Sequence, residues 1–317
     1  MDGDRIRRLL AGDHGGPGTA PDGAVSTGTV LMPGVWDALS SRLVADAGFE
    51  VCFLSGYATA ATLLGLPDFG YLTQAEMAEV ARRVCRAAPE LAVVIDGDTG
   101  HGNALNTIRT VELFESAGGA GIFLEDQVWP KKCGHLKGKR VVPREEWLTK
   151  LKAAVDHRDR LFVVARTDAR AAIGLDEACE RARMAADLGV DAIFVEAPES
   201  IEEMEAVARA TPGIVRVANM IEAGKTPLLT PKELHDLGFD LIVSPLTGLF
   251  AAARALSNAY GVLRQKGSLR DDLDLVTSFE AFNAVVGLDR HYELESQYAE
   301  AGPSPPPEAD GPASTSG

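Results

Sequence analysis

Eight short runs of β-branched and other apolar residues recur along this chain, each followed by a longer stretch of helical spacing. The runs lie at 30–32, 51–54, 92–95, 121–124, 161–165, 192–195, 215–219 and 241–243. They are almost continuously apolar rather than alternating, as parallel strands buried on both faces require. Between them, residues 73–87 open with Thr73 and carry Glu76 three positions on, the reciprocal capping pattern of a helix start. Residues 175–188 and 200–210 repeat the helical spacing, and Gly48, Gly189 and Gly238 follow helical stretches, where left-handed backbone is needed. Eight strand–helix units predict an α/β fold, a (β/α)8 TIM barrel. An open doubly wound sheet uses the same units, but the count is eight and no GxGxxG follows the first run.

Composition bounds the rest. Apolar residues make up 46% of the 317, enough for a sizeable core. The ends are different: residues 1–28 read as a loose tail with one helical turn at 5–10, and residues 301–317, rich in Pro, Ser and Gly, cannot bury enough surface to fold. The barrel is expected over 29–268, with a helical extension over 269–300. A net charge of −15 argues against nucleic acid or an anionic membrane as partner, though one pocket can still carry local positive charge. The four cysteines lack CxxC spacing, and no apolar run reaches the ~20 residues that span a bilayer. With no hydrophobic signal core at the start, a reduced cytoplasmic location is expected.

In a barrel, chemistry gathers at the C-terminal strand ends. Reading just past each run gives Ser55-Gly56-Tyr57 with Asp68 beyond, Asp96-Gly97-Asp98, Glu125-Asp126-Gln127, Arg166-Thr167-Asp168, Glu196, Asn219 and Ser244-Pro245. Asp68, Asp96, Asp98 and Glu125 would repel one another if unpaired, and a hard divalent cation resolves that conflict. Salt-bridged loop carboxylates are the competing account. The loop 126–140, DQVWPKKCGHLKGKR, is long, basic and punctuated by glycine. Lys131, Lys132 and His135 would favour the Cys133 thiolate, and such a loop can close over an anionic ligand. By composition alone it also reads as a solvated basic loop.

These residues resemble the isocitrate lyase/phosphoenolpyruvate mutase superfamily. The matching segments are Ser55-Gly-Tyr, Leu66-Pro-Asp-Phe-Gly, Asp96-Gly-Asp-Thr-Gly-His-Gly-Asn, Leu124-Glu-Asp-Gln, Lys131-Lys-Cys-Gly-His, Ala165-Arg-Thr-Asp and Asn219-Met-Ile-Glu-Ala-Gly-Lys-Thr-Pro. The late segment from Ser278 looks like the branch that includes 2,3-dimethylmalate lyase, petal death protein and carboxyvinyl-carboxyphosphonate phosphorylmutase.

The resemblance implies a Mg2+-dependent enzyme, with Mn2+ as a substitute, and a homotetramer built from dimers that swap the helix near 247–266. It implies Asp68, Asp96, Asp98 and Glu125 around the metal. Ser55, Gly56, Tyr57, Lys131, Gly134 and Asn219 are implied at the substrate, with the backbone amides at 55–57 available to a carboxylate or oxyanion. Cys133 would be the acid for C3, Arg166 the partner of the C2 oxygen, and His135 and Glu196 further members of the catalytic set. The Cys133 loop sits on the lyase side of the superfamily, so cleavage of a small 2-hydroxy dicarboxylate to a 2-oxo acid and a carboxylate is expected. Hydrolysis of oxaloacetate, phosphonomutase chemistry and non-catalytic dicarboxylate binding are the alternatives. Two departures stand out: Phe53 replaces the Tyr of methylisocitrate lyases, and His101 replaces a smaller or aromatic residue in the glycine-rich turn.

Overall fold

The computed structural model describes residues 3–12, 29–134 and 138–299. Eight parallel strands, β1 (Val30–Val35), β2 (Val51–Leu54), β3 (Ala92–Asp96), β4 (Gly121–Glu125), β5 (Phe162–Thr167), β6 (Ala192–Val195), β7 (Val215–Asn219) and β8 (Leu241–Ser244), close into one barrel in sequential order. The helices in chain order are α1 (Gly3–Leu10), α2 (Ala38–Asp46), α3 (Gly56–Thr59), α4 (Gln74–Ala87), α5 (Ala104–Ser116), α6 (Arg144–His157), α7 (Ala169–Ala172), α8 (Leu175–Ala186), α9 (Ile201–Ala210), α10 (Pro231–Asp236) and α11 (Thr247–Lys266). β1 runs on past its expected end by changing partner: Val30 to Pro33 pair with β8, then Gly34 and Val35 pair with β2.

The strand runs are continuously apolar because both faces are buried. Alternate residues Val51 and Phe53, Ala92 and Val94, Phe162 and Val164, Ala192 and Phe194 fill the barrel interior. Their neighbours Cys52, Leu54, Val93, Ile95, Val163, Ala165, Ile193 and Val195 pack on the outer helices. Thr73 caps α4 in the expected reciprocal box, its amide donating to Glu76 Oε2 at 2.8 Å. Gly48, Gly189 and Gly238 all have positive φ, between 82° and 84°.

The amino-terminal tail needs correcting. Within the stretch read as loose, α1 is a full helix whose Ile6 and Leu9 join the barrel-interior cluster. Gly3 N donates to Arg160 O at 3.1 Å, and Arg7 Nε pairs with Asp191 Oδ1 at 2.8 Å, both acceptors lying just ahead of strands. The helix therefore plugs the N-terminal end of the barrel. Residues 13–28 and the carboxy-terminal tail from residue 300 lie outside the described residues.

α11 has no buried residue, and Leu256 and Tyr260 are 51% and 63% exposed. A second compact unit starts at Val276 and contains α12 (Phe279–Val285) and α13 (Leu288–Tyr298), which pack on each other. Among the described residues no helix is long and apolar enough to cross a membrane.

Candidate active site

The strand ends and the loop after β4 border a small cleft at the barrel mouth that opens to solvent. Ser55, Tyr57, Asp68, Asp96, Lys131, Cys133, Gly134, Arg166, Glu196 and Asn219 line it, so residues from seven segments distant in sequence meet there. Phe53, Phe123 and Phe194 form its apolar floor, with ring centroids 4.9 and 5.7 Å apart in the two successive pairs. His135 lies outside the described residues.

The four acids gather around an ammonium rather than an open gap. Lys131 Nζ stands 2.8 Å from Asp68 Oδ1 and 2.6 Å from Asp98 Oδ1, both pairs almost fully buried. Burial alone would pull this lysine down, but Asp98, Asp96, Asp68 and Glu125 together hold it well above its ordinary value. Lys131, expected to meet substrate and to acidify Cys133, thus spends its charge on two carboxylates. Burial pushes Asp98 up to about 7, with Asp96 and Asp68 adding to the rise against the opposing lysine. Burial likewise raises Glu125 well above the carboxylate range.

A second cluster forms on Arg166. Its guanidinium reaches Asp168 Oδ2 at 3.0 Å, Glu196 Oε2 at 3.2 Å and Glu125 Oε2 at 3.4 Å, and lies 5.5 Å from the Phe194 ring centroid. Lys139 Nζ adds a pair to Asp168 at 2.7 Å. Six acids therefore meet the three buried cations Lys131, Lys139 and Arg166, with Lys132 also lining the mouth. Glu125 Oε1 is buried with no hydrogen-bond partner. This donor set suits a hard divalent cation. Among the described residues, however, no three His, Cys, Asp or Glu side chains are arranged to hold a metal ion unaided. Magnesium fits such a partial cage because it keeps several waters and takes few direct carboxylates.

The amides of 55–57 are less available than expected. Ser55 N donates to Val35 O at 3.1 Å and Gly56 N to Asp96 Oδ2 at 3.2 Å, while the Ser55 hydroxyl caps α3 through Ala58 N. Among the described residues only Tyr57 N of the three amides has no acceptor. Burial, then Cys133 and Asp68, raise the Tyr57 phenol, which keeps it protonated at neutral pH.

Cys133 is held at this mouth by its own amide, which donates to Asp68 O at 3.4 Å, and by its two neighbours. Lys132 exchanges hydrogen bonds with the Gln127 side chain, N to Oε1 at 2.9 Å and O from Nε2 at 2.8 Å. Gly134 lies against Glu196, which also accepts from Asn219 Nδ2 at 3.3 and 3.4 Å. His101 does not line this cavity; it faces Trp129 at 6.3 Å, and its buried Nε2 has no hydrogen-bond partner. Sequence reasoning placed Asp168 among the strand-end residues without a role and gave Lys139 no place in the site. A lysine in a basic loop carries no local sign that it will be buried.

Residues 24–263 match the family model described as phosphoenolpyruvate phosphomutase. The chain is 52% identical over 274 residues to petal death protein from Dianthus caryophyllus, covering 86% of each. It is 41% identical over 272 residues to 2,3-dimethylmalate lyase from Eubacterium barkeri, covering 85% of this chain and 93% of the relative. Among solved structures, oxaloacetate acetylhydrolase in complex with the inhibitor 3,3-difluorooxalacetate superposes with a TM-score of 0.85 at 31% identity, covering 95% of this chain and 98% of that one.

Proposed function

This chain belongs to the phosphoenolpyruvate phosphomutase family, and on that premise we propose that it is a Mg2+-dependent carbon–carbon lyase. Its substrate is a small 2-hydroxy dicarboxylate of the 2-alkylmalate or methylisocitrate type, cleaved to a 2-oxo acid and a carboxylate. The observation that carries this reading is the position of Cys133, which lines one cavity with Arg166, Asp96 and Glu196. The 2,3-dimethylmalate lyase relative supports the same class of reaction.

Asp96 and Asp98, with Asp68 and Glu125 beside them, would hold Mg2+ or Mn2+, which supplies positive charge to the substrate's C1 carboxylate and 2-oxygen when bound. Arg166 is planar, permanently charged and already desolvated, so it stabilises negative charge on the C2 oxygen. The 2-hydroxyl gives its proton to a water at the open mouth, C2–C3 breaks, and the electron pair passes onto the fragment that retains the distal carboxylate; solvent later restores the proton that Cys133 gives up. Cys133 then delivers a proton to C3 of that fragment. Neither nearby aromatic ring is a suitable base: Phe53 has no hydroxyl and the Tyr57 phenol is held protonated. Gly134, Asn219 and Glu196 orient the distal carboxylate end.

The test is a panel of 2-alkylmalates, methylisocitrate, isocitrate and oxaloacetate, with 2-oxo acid and oxalate both monitored. Cys133→Ala should lower turnover by orders of magnitude without unfolding the protein; near-normal turnover would remove the acid role. Likeness to oxaloacetate acetylhydrolase favours a second reading, hydrolysis of oxaloacetate, and oxalate release from that substrate decides for it. The uncovered α11 supports a homotetramer of helix-swapped dimers. A monomeric mass by light scattering would overturn that assembly.

A further inference from the structure

We propose that Lys139 is a positioning residue: its buried ammonium ties the carbonyl of Gly134 to Asp168 and so fixes where the Cys133 thiol stands. The Lys139 side chain is 1% exposed and its Nζ lies 2.7 Å from Asp168 Oδ1. The same nitrogen donates to Gly134 O. Lys139 does not line the cavity, so it acts on the site only through what it holds.

The two ends of this tie differ. Asp168 belongs to the scaffold: Arg166 Nε and Nη2 donate to its two oxygens at 3.0 and 3.2 Å, and its own amide donates to Asp126 Oδ1 at 2.8 Å. Asp126 is fixed in turn by Thr167 Oγ1 at 2.6 Å and Arg181 Nη1 at 3.1 Å. Gly134 belongs to the loop. A desolvated ammonium is kept in a fold only where charge and hydrogen bonds compensate it, and here the compensation joins a rigid acid to a loop carbonyl. On the other side of Cys133, Gln127 clamps both backbone groups of Lys132. The thiol is therefore bracketed by two side-chain clamps, one neutral and one ionic. Asp168 also serves Arg166, so the anchor of the loop and the anchor of the guanidinium are one carboxylate.

The kinetic consequence rests on the lyase reading, but the placement of Cys133 can be measured without it. The full-length Lys139→Met protein is treated with iodoacetamide below its melting temperature, and alkylation of each cysteine is followed by peptide mass spectrometry. Cys85 and Cys179, both partly exposed, serve as internal references. The expected result is Cys133 labelling faster by about tenfold or more, with the two reference rates unchanged, because a local contact and not the fold has been lost. An unchanged Cys133 rate overturns the proposal. If all three rates rise together, the methionine variant has unfolded, and Lys139→Gln, which cannot bridge both acceptors with a charge, is read by the same two criteria. With an active substrate, kcat should fall about tenfold or more while KM moves less than about threefold, since positioning is lost and binding is not. Faster labelling with unaltered kcat would leave the tie standing and remove the acid role of Cys133.

Discussion

Gly134 and Glu196 stand so close that a Cβ on the glycine would lie 2.5 Å from Glu196 Cδ and 2.6 Å from its Cγ and Oε2. The loop can reach the end of β6 only because this position has no side chain. Gly134→Ala must push either the loop or Glu196 away, and Glu196 holds Arg166 and Asn219. We expect kcat to fall about a hundredfold with the fold retained, the scale of a 1 Å misplacement. Steady-state kinetics beside a thermal melt checks this, and activity within about twofold of the parent would show that the contact is inessential.

Charge at the mouth leads to a prediction about metal. Chelation with EDTA should abolish turnover and Mg2+ should restore it. Independently of activity, Mg2+ at a hundredfold excess over its Kd should stabilise the protein by about 2.7 kcal/mol. Asp96→Asn should lose most of that thermal shift. A melting temperature indifferent to Mg2+ in the parent protein would contradict the metal assignment.

His101 supplies a pH dependence. Burial lowers its pKa to about 4, so at neutral pH the ring is uncharged. Because the folded value lies below the unfolded one near 6.5, the unfolded chain binds the proton more readily between those values. The stability linked to neutral His101 is therefore present above pH 6.5 and is lost as pH falls toward 4. His101→Asn keeps the positive φ of 57° at little strain and carries no titrating ring. Its melting temperature should fall less than that of the parent between pH 7 and pH 4.5, as differential scanning calorimetry would show; identical slopes would rule this out.

The α1 plug is testable by truncating one side chain. Ile6 is fully buried in the barrel interior, so Ile6→Ala should cost about 2–5 kcal/mol, read from urea denaturation. A loss under about 0.5 kcal/mol would mean that α1 is dispensable.

How far the fold was legible depended on pattern length. The strand runs declare themselves because two-sided burial removes polar residues from most of each run. α1 is anchored mainly by Ile6 and Leu9 within a charged octapeptide, too little apolar periodicity to separate a docked helix from a tail. The strand-end acids, Arg166 and Cys133 were readable as a set because a barrel brings such ends together. Where each charge is spent was not readable: Lys131 on Asp68 and Asp98, and Lys139 on Asp168, are pairings between residues 29 to 63 positions apart, decided by packing. The commitments of Ser55 N and Gly56 N likewise depend on β1 and Asp96 lying beside them.

Beneath the reacting groups, Phe53, Phe123 and Phe194 seal the chamber, and farther down Ile6 and Leu9 stop its other end. On the lyase reading, a cleft floored by these rings predicts an order of departure: a fragment seated against the rings stays until the one nearer Cys133 has gone. Inhibition by the inner fragment should be competitive with substrate and by the outer one noncompetitive, and competitive inhibition by both would mean that either can leave first.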